Sequence, residues 1–365
     1  MMTKSRSSVN MNSTEFNVLF MPRSEENPYQ SSLVESLRDS GHNVWIEGGY
    51  PISFVKGILE NGIPDIIHIH WLSTYLIGNS MVTTILKSTV FGLCAIIARV
   101  LGIKLVWTVH NLAEHEQRNP MWEEFIKSVY SSYIFNRIIV HCSSAVNLVQ
   151  EKFGCEESKV DVIPHANYIN LYPDTVSEKQ ARTELEIDRD KTVFLHFGKI
   201  REYKRVTWLI RNFSGVSDED ALFLIAGSPE TEEIEEEVLA RENNCNRIIT
   251  DLRFIPEDEI QYYLRAADAM VLGFNKVLTS GSAVLAMSFG VPIVSPRLGC
   301  LPDIISERGG FLYENDNPDK LVEAIECALE SDLKSAGDAN FQRAKRFSWS
   351  RMAELTTDCY SQAIK

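Results

Sequence analysis

The chain has 365 residues, and at roughly 100–200 residues per domain that predicts two domains. Apolar residues make up 44% and charged residues 24%, so a large core can form without disulfides or metals, and collagen-like, disordered and disulfide-rich classes are excluded. The 36 Lys and Arg stand against 50 Asp and Glu, a formal net charge of −14, which argues against nucleic acid as a partner but leaves room for a local basic pocket for a phosphorylated ligand.

Residues 1–15 are polar, rich in Ser and Asn, and lack the apolar stretch of a secretory signal. A short apolar run at 16–21 reads as a strand, 31–40 as a helix and 43–46 as a strand. Residues 65–70 form another apolar run, followed by a long helical region ending at 101. Its greasiest part, 81–101, is interrupted by Lys87 and Arg99, and the eleven uncharged residues between them are too few to span a bilayer. A buried helix is expected there, with a membrane-facing helix as the alternative. Strand-like 104–109, helical 122–135 and strand-like 137–141 complete a β-α-β alternation that points to a buried parallel sheet. The polar segment 168–190, with Pro173, reads as a linker. The alternation restarts with strands at 192–197, 221–226, 248–254, 269–272 and 291–295, giving a second α/β domain. Seven cysteines, at 94, 142, 155, 245, 300, 327 and 359, include no C-x-x-C pair and read as reduced thiols of a cytosolic protein.

Ligands of open parallel sheets sit beyond the carboxyl ends of the strands, so the residues there carry the functional argument. Gly198-Lys-Ile-Arg201-Glu-Tyr-Lys204-Arg205 directly follows the first strand of the second domain. Arg201 and Lys204 lie three apart, so one helical turn puts both on one face, suited to a diphosphate. Thr279-Ser280-Gly281-Ser282 precedes an apolar helix, whose free N-terminal amides can bind an anion; an ordinary Ser cap is the competing explanation. His68 and His70 alternate along a strand and point the same way, without the further ligands a zinc site needs. His110, at the end of 104–109, is placed to meet a substrate hydroxyl or a developing charge. No G-x-S-x-G, G-x-G-x-x-G or P-loop motif occurs. The triplets Asp188-Arg-Asp190 and Asp218-Glu-Asp220 lie in charged connecting segments, so no metal is expected.

Asp65-Ile-Ile-His-Ile-His70, Val106-Trp-Thr-Val-His110-Asn111, Val162-Ile-Pro-His-Ala166, Gly198-Lys-Ile-Arg201-Glu-Tyr-Lys204, Ala266-Ala-Asp268-Ala, Gly290-Val-Pro292 and Gly299-Cys-Leu-Pro302-Asp303 occur in that order. Together they resemble the motifs of retaining glycosyltransferases of the GT-B fold, particularly glycosyltransferase family 4. The resemblance implies two Rossmann-like parallel-sheet domains facing a central cleft: an acceptor-side domain at 15–175, a linker at 176–190, a nucleotide-sugar domain at 191–345, and a helix at 346–365 returning to the first domain. It implies metal-independent transfer of a hexose from a UDP- or GDP-sugar to a glycan or lipid-linked acceptor, with no cofactor, in the cytoplasm or peripherally at the inner membrane face. His110 would be catalytic; Gly198, Arg201, Lys204, Ser280, Gly281 and Ser282 would hold the donor diphosphate. Asn27, Tyr29, Gln30, His70 and Asn111 are the acceptor-side candidates, the first three standing where the family has a glycine-rich loop. One departure is plain: the family's E-x7-E glutamates are replaced by Val277 and Leu285. That leaves a catalytically silent sugar-nucleotide-binding subunit and a sugar-nucleotide epimerase as competing expectations.

Overall fold

The computed structural model describes residues 15–24, 28–48, 57–114, 118–243 and 245–365. Among them, twelve strands form two six-stranded sheets in which all paired neighbours run parallel. The first sheet contains β1 (Asn17–Met21), β2 (Asn43–Ile46), β3 (Ile66–Ile69), β4 (Lys104–Thr108), β5 (Arg137–Val140) and β6 (Val160–Val162), in the order β2-β1-β3-β4-β5-β6. The second contains β7 (Thr192–Phe197), β8 (Ala221–Ala226), β9 (Ile248–Asp251), β10 (Ala269–Val271), β11 (Ile293–Pro296) and β12 (Gly310–Tyr313), in the order β12-β11-β10-β7-β8-β9. Central strands such as β3 and β8 are buried along their whole length because helices cover both faces, which explains their unbroken apolar sequence. This is the GT-B architecture. In each sheet the strand order reverses beside the first strand, between β1 and β3 and between β7 and β10, so each domain offers a crevice at the carboxyl ends of those strands.

The chain crosses between domains twice, and the crossings touch: the Asn167 N–H donates to the Phe347 carbonyl at 2.6 Å. Beyond the second crossing, the helix Trp349–Ile364 packs on the first domain, where Thr357 bonds His42 and the Tyr360 hydroxyl bonds His68 Nδ1 at 2.7 Å. The segment expected to be a linker is structured. Ser177 caps the helix Glu178–Glu184, whose buried Arg182 pairs with Asp268 at 2.8 Å, while Asp174 pairs with Arg265. Its polar composition reflects both solvent exposure and these ion pairs to the second domain.

Two further expectations are corrected. The helix Met81–Val100 begins with a Ser80–Thr83 capping box, but it is not a buried core helix. Its inward stripe consists of small and polar residues (Thr84, Ser88, Gly92, Ala95, Ala98) with Phe91, and docks the helix Pro120–Tyr133 through Tyr130 and Trp122 bonds to Ser88. Gly92 is required there, since a Cβ would stand 2.6 Å from the Tyr130 hydroxyl. The large residues Val82, Leu86, Leu93, Ile97 and Val100 face outward instead. The cysteines are not all thiols. Cys142, just after β5, is disulfide-bonded to Cys300, 158 residues away, and both are buried. The bond joins the two domains, beside a second bridge in which the Ser144 N–H and hydroxyl both donate to Asp303 at 2.9 Å. Linear spacing hides a pair that only the packing of two domains brings to a Cα separation of 5.5 Å.

Candidate active site

A cleft of about 290 Å³ opens where the two crevices face each other. The first domain contributes Trp71, His110 and Asn111; the crossing segment contributes His165 and Tyr168; the second domain contributes Arg201, Tyr203, Lys204, Phe274, Val277 and residues 279–282.

On the second-domain wall, β7 ends at Gly198, whose φ of +101° only glycine adopts without strain. A Cβ there would meet Lys204 Nζ at 3.4 Å and Ser282 Oγ at 3.7 Å, so three residues singled out in the sequence converge. Arg201 caps a 3₁₀ turn, Glu202–Lys204, and its carbonyl accepts the Lys204 N–H at 2.9 Å. Lys204 is buried and carries no ion pair among the described residues; burial, reinforced by Arg201, lowers its pKa to about 8. Arg201 is not free: its Nε lies 3.0 Å from Glu230, which shares its charge. The other two cations of the motif turn elsewhere, Lys199 to solvent and Arg205 to Gly273, Asp316 and the face of Trp208.

The helix Gly281–Ser288 points its N-terminus into the cleft. Ser280 is its cap, with Oγ accepting from the Ala283 N–H at 3.1 Å, and the Ser282 hydroxyl reaches the Phe197 carbonyl at 3.4 Å. Ser280 thus spends a lone pair on its cap and keeps its O–H to donate, while the Ser282 hydroxyl is directed at the Phe197 carbonyl. The first-turn amides of Gly281 and Ser282, which a helix leaves unpaired, stand at the same wall, where the macrodipole favours an anion. At the two family glutamate positions, Val277 lines the cleft and Leu285 is packed in the core. Thr279, part of the sequence motif but given no role there, lines the same wall with a buried hydroxyl that has no hydrogen-bond partner among the described residues. It is a polar group free for a ligand beside the position the first glutamate would occupy.

The first-domain wall is built from histidines. His68 and His70 stack at 4.3 Å, as the strand alternation requires. His68 is fully buried between Tyr360 and Thr108 (2.7 Å each), which makes it an anchor for the C-terminal helix. His70 Nδ1 lies 3.2 Å from His110 Nε2, and His110 stacks on Trp71 at 5.0 Å. His141, held by the Ile163 carbonyl at 2.8 Å, and His165 complete the group, and Tyr29 packs against four of its rings. Desolvation holds these imidazoles neutral. It lowers His141 to about 4 and His68 and His165 to about 3, and takes His70 and His110 well below the usual value, with neighbouring rings adding to the shift.

Two acceptor-side expectations change and a third goes untested. Gln30 is fully buried, tied to the Pro22 carbonyl at 2.8 Å and the Ser24 N–H at 3.0 Å, so it shapes the loop after β1 and touches no acceptor. Tyr29 is likewise buried beneath the histidines. Asn27 lies outside the described residues. His70 and Asn111 remain at the surface of a second cavity, of about 350 Å³, that shares Trp71, His110 and Asn111 with the cleft. The loop of that cavity is fixed by a buried pair that the sequence did not reveal. Glu123 and Lys127 meet at 2.7 Å, while Glu123 accepts from Ser73 and the Glu114 N–H, and Lys127 donates to the Leu112 carbonyl. An i,i+4 Glu–Lys pair on a helix reads as a solvated pair in sequence; here it positions residues 110–114.

Residues 85–166 match the family described as Glycosyltransferase Family 4, and residues 191–331 match Glycosyl transferases group 1. The chain belongs to these group 1, family 4 glycosyltransferases. The GDP-mannose:glycolipid 4-beta-D-mannosyltransferase of Xanthomonas campestris is 25% identical to this glycosyltransferase over 94% of the chain and 90% of its own length. A D-inositol 3-phosphate glycosyltransferase of Corynebacterium kroppenstedtii is 25% identical over 63% of the chain and 54% of its own. Sucrose-phosphate synthase from Thermosynechococcus elongatus shares the fold with a TM-score of 0.76 and 16% identity, covering 94% of this chain and 98% of its own. Anabaena HepE, solved in complex with UDP-glucose, gives a TM-score of 0.72 and 16% identity, covering 95% and 100%.

Proposed function

We propose that this glycosyltransferase moves a hexose from a UDP- or GDP-sugar to a glycan or lipid-linked acceptor, without a metal or cofactor, in the assembly of cell-surface polysaccharide or glycoconjugate. The observation that carries this reading is the opposition, across one cleft, of a helix N-terminus flanked by Lys204 and Arg201 to a neutral His110. Lys204, Arg201 and the amides of Gly281 and Ser282 would neutralise the departing diphosphate, the charge a divalent ion supplies in other transferases. His110, uncharged at neutral pH, offers a lone pair to a sugar or acceptor hydroxyl as positive charge builds on the anomeric carbon. The leaving phosphate would take the acceptor's proton. The reaction is placed at the cytoplasmic face, with the outward apolar side of Met81–Val100 against the membrane; in that reducing setting the Cys142–Cys300 pair would exchange between bond and thiols.

The name of the Xanthomonas relative supports a sugar nucleotide donor and a glycolipid acceptor. It also favours a second reading of the stereochemistry. The family resemblance implies retention, whereas forming a β-linkage from an α-linked donor inverts the anomeric carbon. One experiment tests both points: incubate the enzyme with UDP- and GDP-hexoses and glycolipid in excess chelator, and read the anomeric proton coupling of the product. Product formed in chelator sustains the reading; activity that needs added Mg²⁺ or Mn²⁺ overturns it, and the coupling decides retention against inversion.

A further inference from the structure

Between the helix Met81–Val100 and the first sheet lies a separate cavity of about 270 Å³, walled by apolar side chains including Ile67, Ile69, Phe91, Cys94, Ala95 and Leu105. The nucleotide-binding wall does not touch it. Among the described residues, one side chain lines both this cavity and the acceptor-side cavity next to His110: Lys87. Its ammonium donates to the Ile77 carbonyl at 2.7 Å, which fixes the cation at the boundary, and Arg118 lies in the same acceptor-side cavity, tempered by Glu114 at 3.8 Å. An apolar chamber, a cation, a polar chamber and His110 therefore follow one another in space.

We infer that the acceptor is a sugar-bearing lipid phosphate whose hydrocarbon chain enters the chamber beneath this helix, with Lys87 binding its phosphate and the sugar lying against His110. The inference rests on the proposed transfer to a lipid-linked acceptor and names its class. Charge complementarity selects this occupant: among the described residues of the acceptor-side cavity, Lys87 and Arg118 face the single carboxylate of Glu114, so an apolar peptide or a neutral fatty chain leaves positive charge in excess, and a free glycan leaves the apolar chamber empty. Access is through the outer surface of the same helix, where Leu86 lines the chamber and is also 61% exposed. Leu93 and Ile97 extend an apolar surface beside it, onto which a bilayer-resident chain can pass without crossing water.

The test uses the full chain and farnesyl phosphate, with farnesol, inorganic phosphate, UDP and GDP titrated in parallel by calorimetry. Farnesyl phosphate is expected to bind at least tenfold more tightly than either farnesol or inorganic phosphate. Cys94→Trp, which fills the chamber, should weaken farnesyl phosphate and farnesol together by about tenfold or more. Lys87→Ala should weaken farnesyl phosphate by a similar factor and leave farnesol unchanged. UDP and GDP affinities should stay at the parent value in both variants, which also shows that the variants are folded. Binding that Cys94→Trp leaves intact but the outward variant Leu93→Ser removes would mean adsorption on the helix surface, and would overturn the chamber. Equal affinity of farnesyl phosphate for the parent and Lys87→Ala would overturn the phosphate assignment. Failure of UDP and GDP to bind the parent, with farnesyl phosphate still bound, would sink the proposed donor chemistry and leave the lipid site standing.

Discussion

The two walls of the cleft manage charge in opposite ways. The second-domain wall concentrates positive charge: a buried lysine, a partly shared arginine and the amides of a helix N-terminus, all within one turn or loop of a strand end. The first-domain wall assembles five imidazoles and removes their charge, because each ring is packed against another ring, a tyrosine or the sheet. A diphosphate needs fixed cations; a glycosyl centre that becomes electron-poor needs neutral lone pairs. Under the proposed transfer this contrast divides donor and acceptor chemistry by domain, and substitutions on either side should then fail in different ways.

The largest effect is expected from His110→Ala. Turnover should fall by roughly two orders of magnitude, the size expected of a group that acts on transition-state charge, with UDP or GDP affinity within about twofold of the parent. A matching loss of nucleotide affinity would show that the walls are not independent. Conversely, Lys204→Ala should weaken the nucleoside diphosphate by about ten- to a hundredfold, whereas Arg201→Ala should cost less, because Glu230 already neutralises part of its charge. Equilibrium titration compares them, and an Arg201 effect exceeding that of Lys204 would contradict the ion pairing described here.

Acid should single out the first domain. Its histidines have folded pKa values below the unfolded value, so the unfolded chain binds more protons as pH falls below about 6.5. Stability is then highest above that value and declines progressively toward pH 4. Thermal melts between pH 7 and 5 should show Tm dropping by several degrees, and the drop should shrink in His141→Asn; a flat profile would mean the rings are hydrated and charged. Lys204 titrates at the other end, near pH 8, and a diphosphate should bind less tightly above that pH in the parent but not in Lys204→Ala.

The smallest functional change is expected from the inter-domain bond. In the chain-entropy view a closure of this length constrains the unfolded chain by roughly 5 kcal/mol, and engineered bonds usually deliver 2–4 kcal/mol. Cys142→Ser should lower the unfolding free energy by that order, read from denaturant titration, with nucleotide affinity unchanged because Ser144 and Asp303 still bridge the domains. A faster-migrating band on non-reducing electrophoresis, absent in the variant, reports the bond.

The order of apolar runs was enough to establish two parallel α/β domains, because strands covered on both faces must be continuously apolar. The short edge strands β6 and β12 carried too little pattern to be read. Gly198, Arg201 and Lys204 were legible since they adjoin a strand end, where geometry is local. Other features depended on contacts made far along the chain. Gln30 and Tyr29 were mistaken for acceptor contacts because burial under other elements is invisible in sequence. The histidine array joins rings from the ends of three strands, β3, β4 and β5, and from the crossing segment, and the Cys142–Cys300 bond joins two domains. The helix Met81–Val100 is the sharpest case. Its composition fixed that it is helical and greasy, but its neighbours demanded small residues for close packing, which sent the large ones outward. Sequence determined what each segment is; which of its faces meets protein, ligand or solvent was decided only when the segments packed.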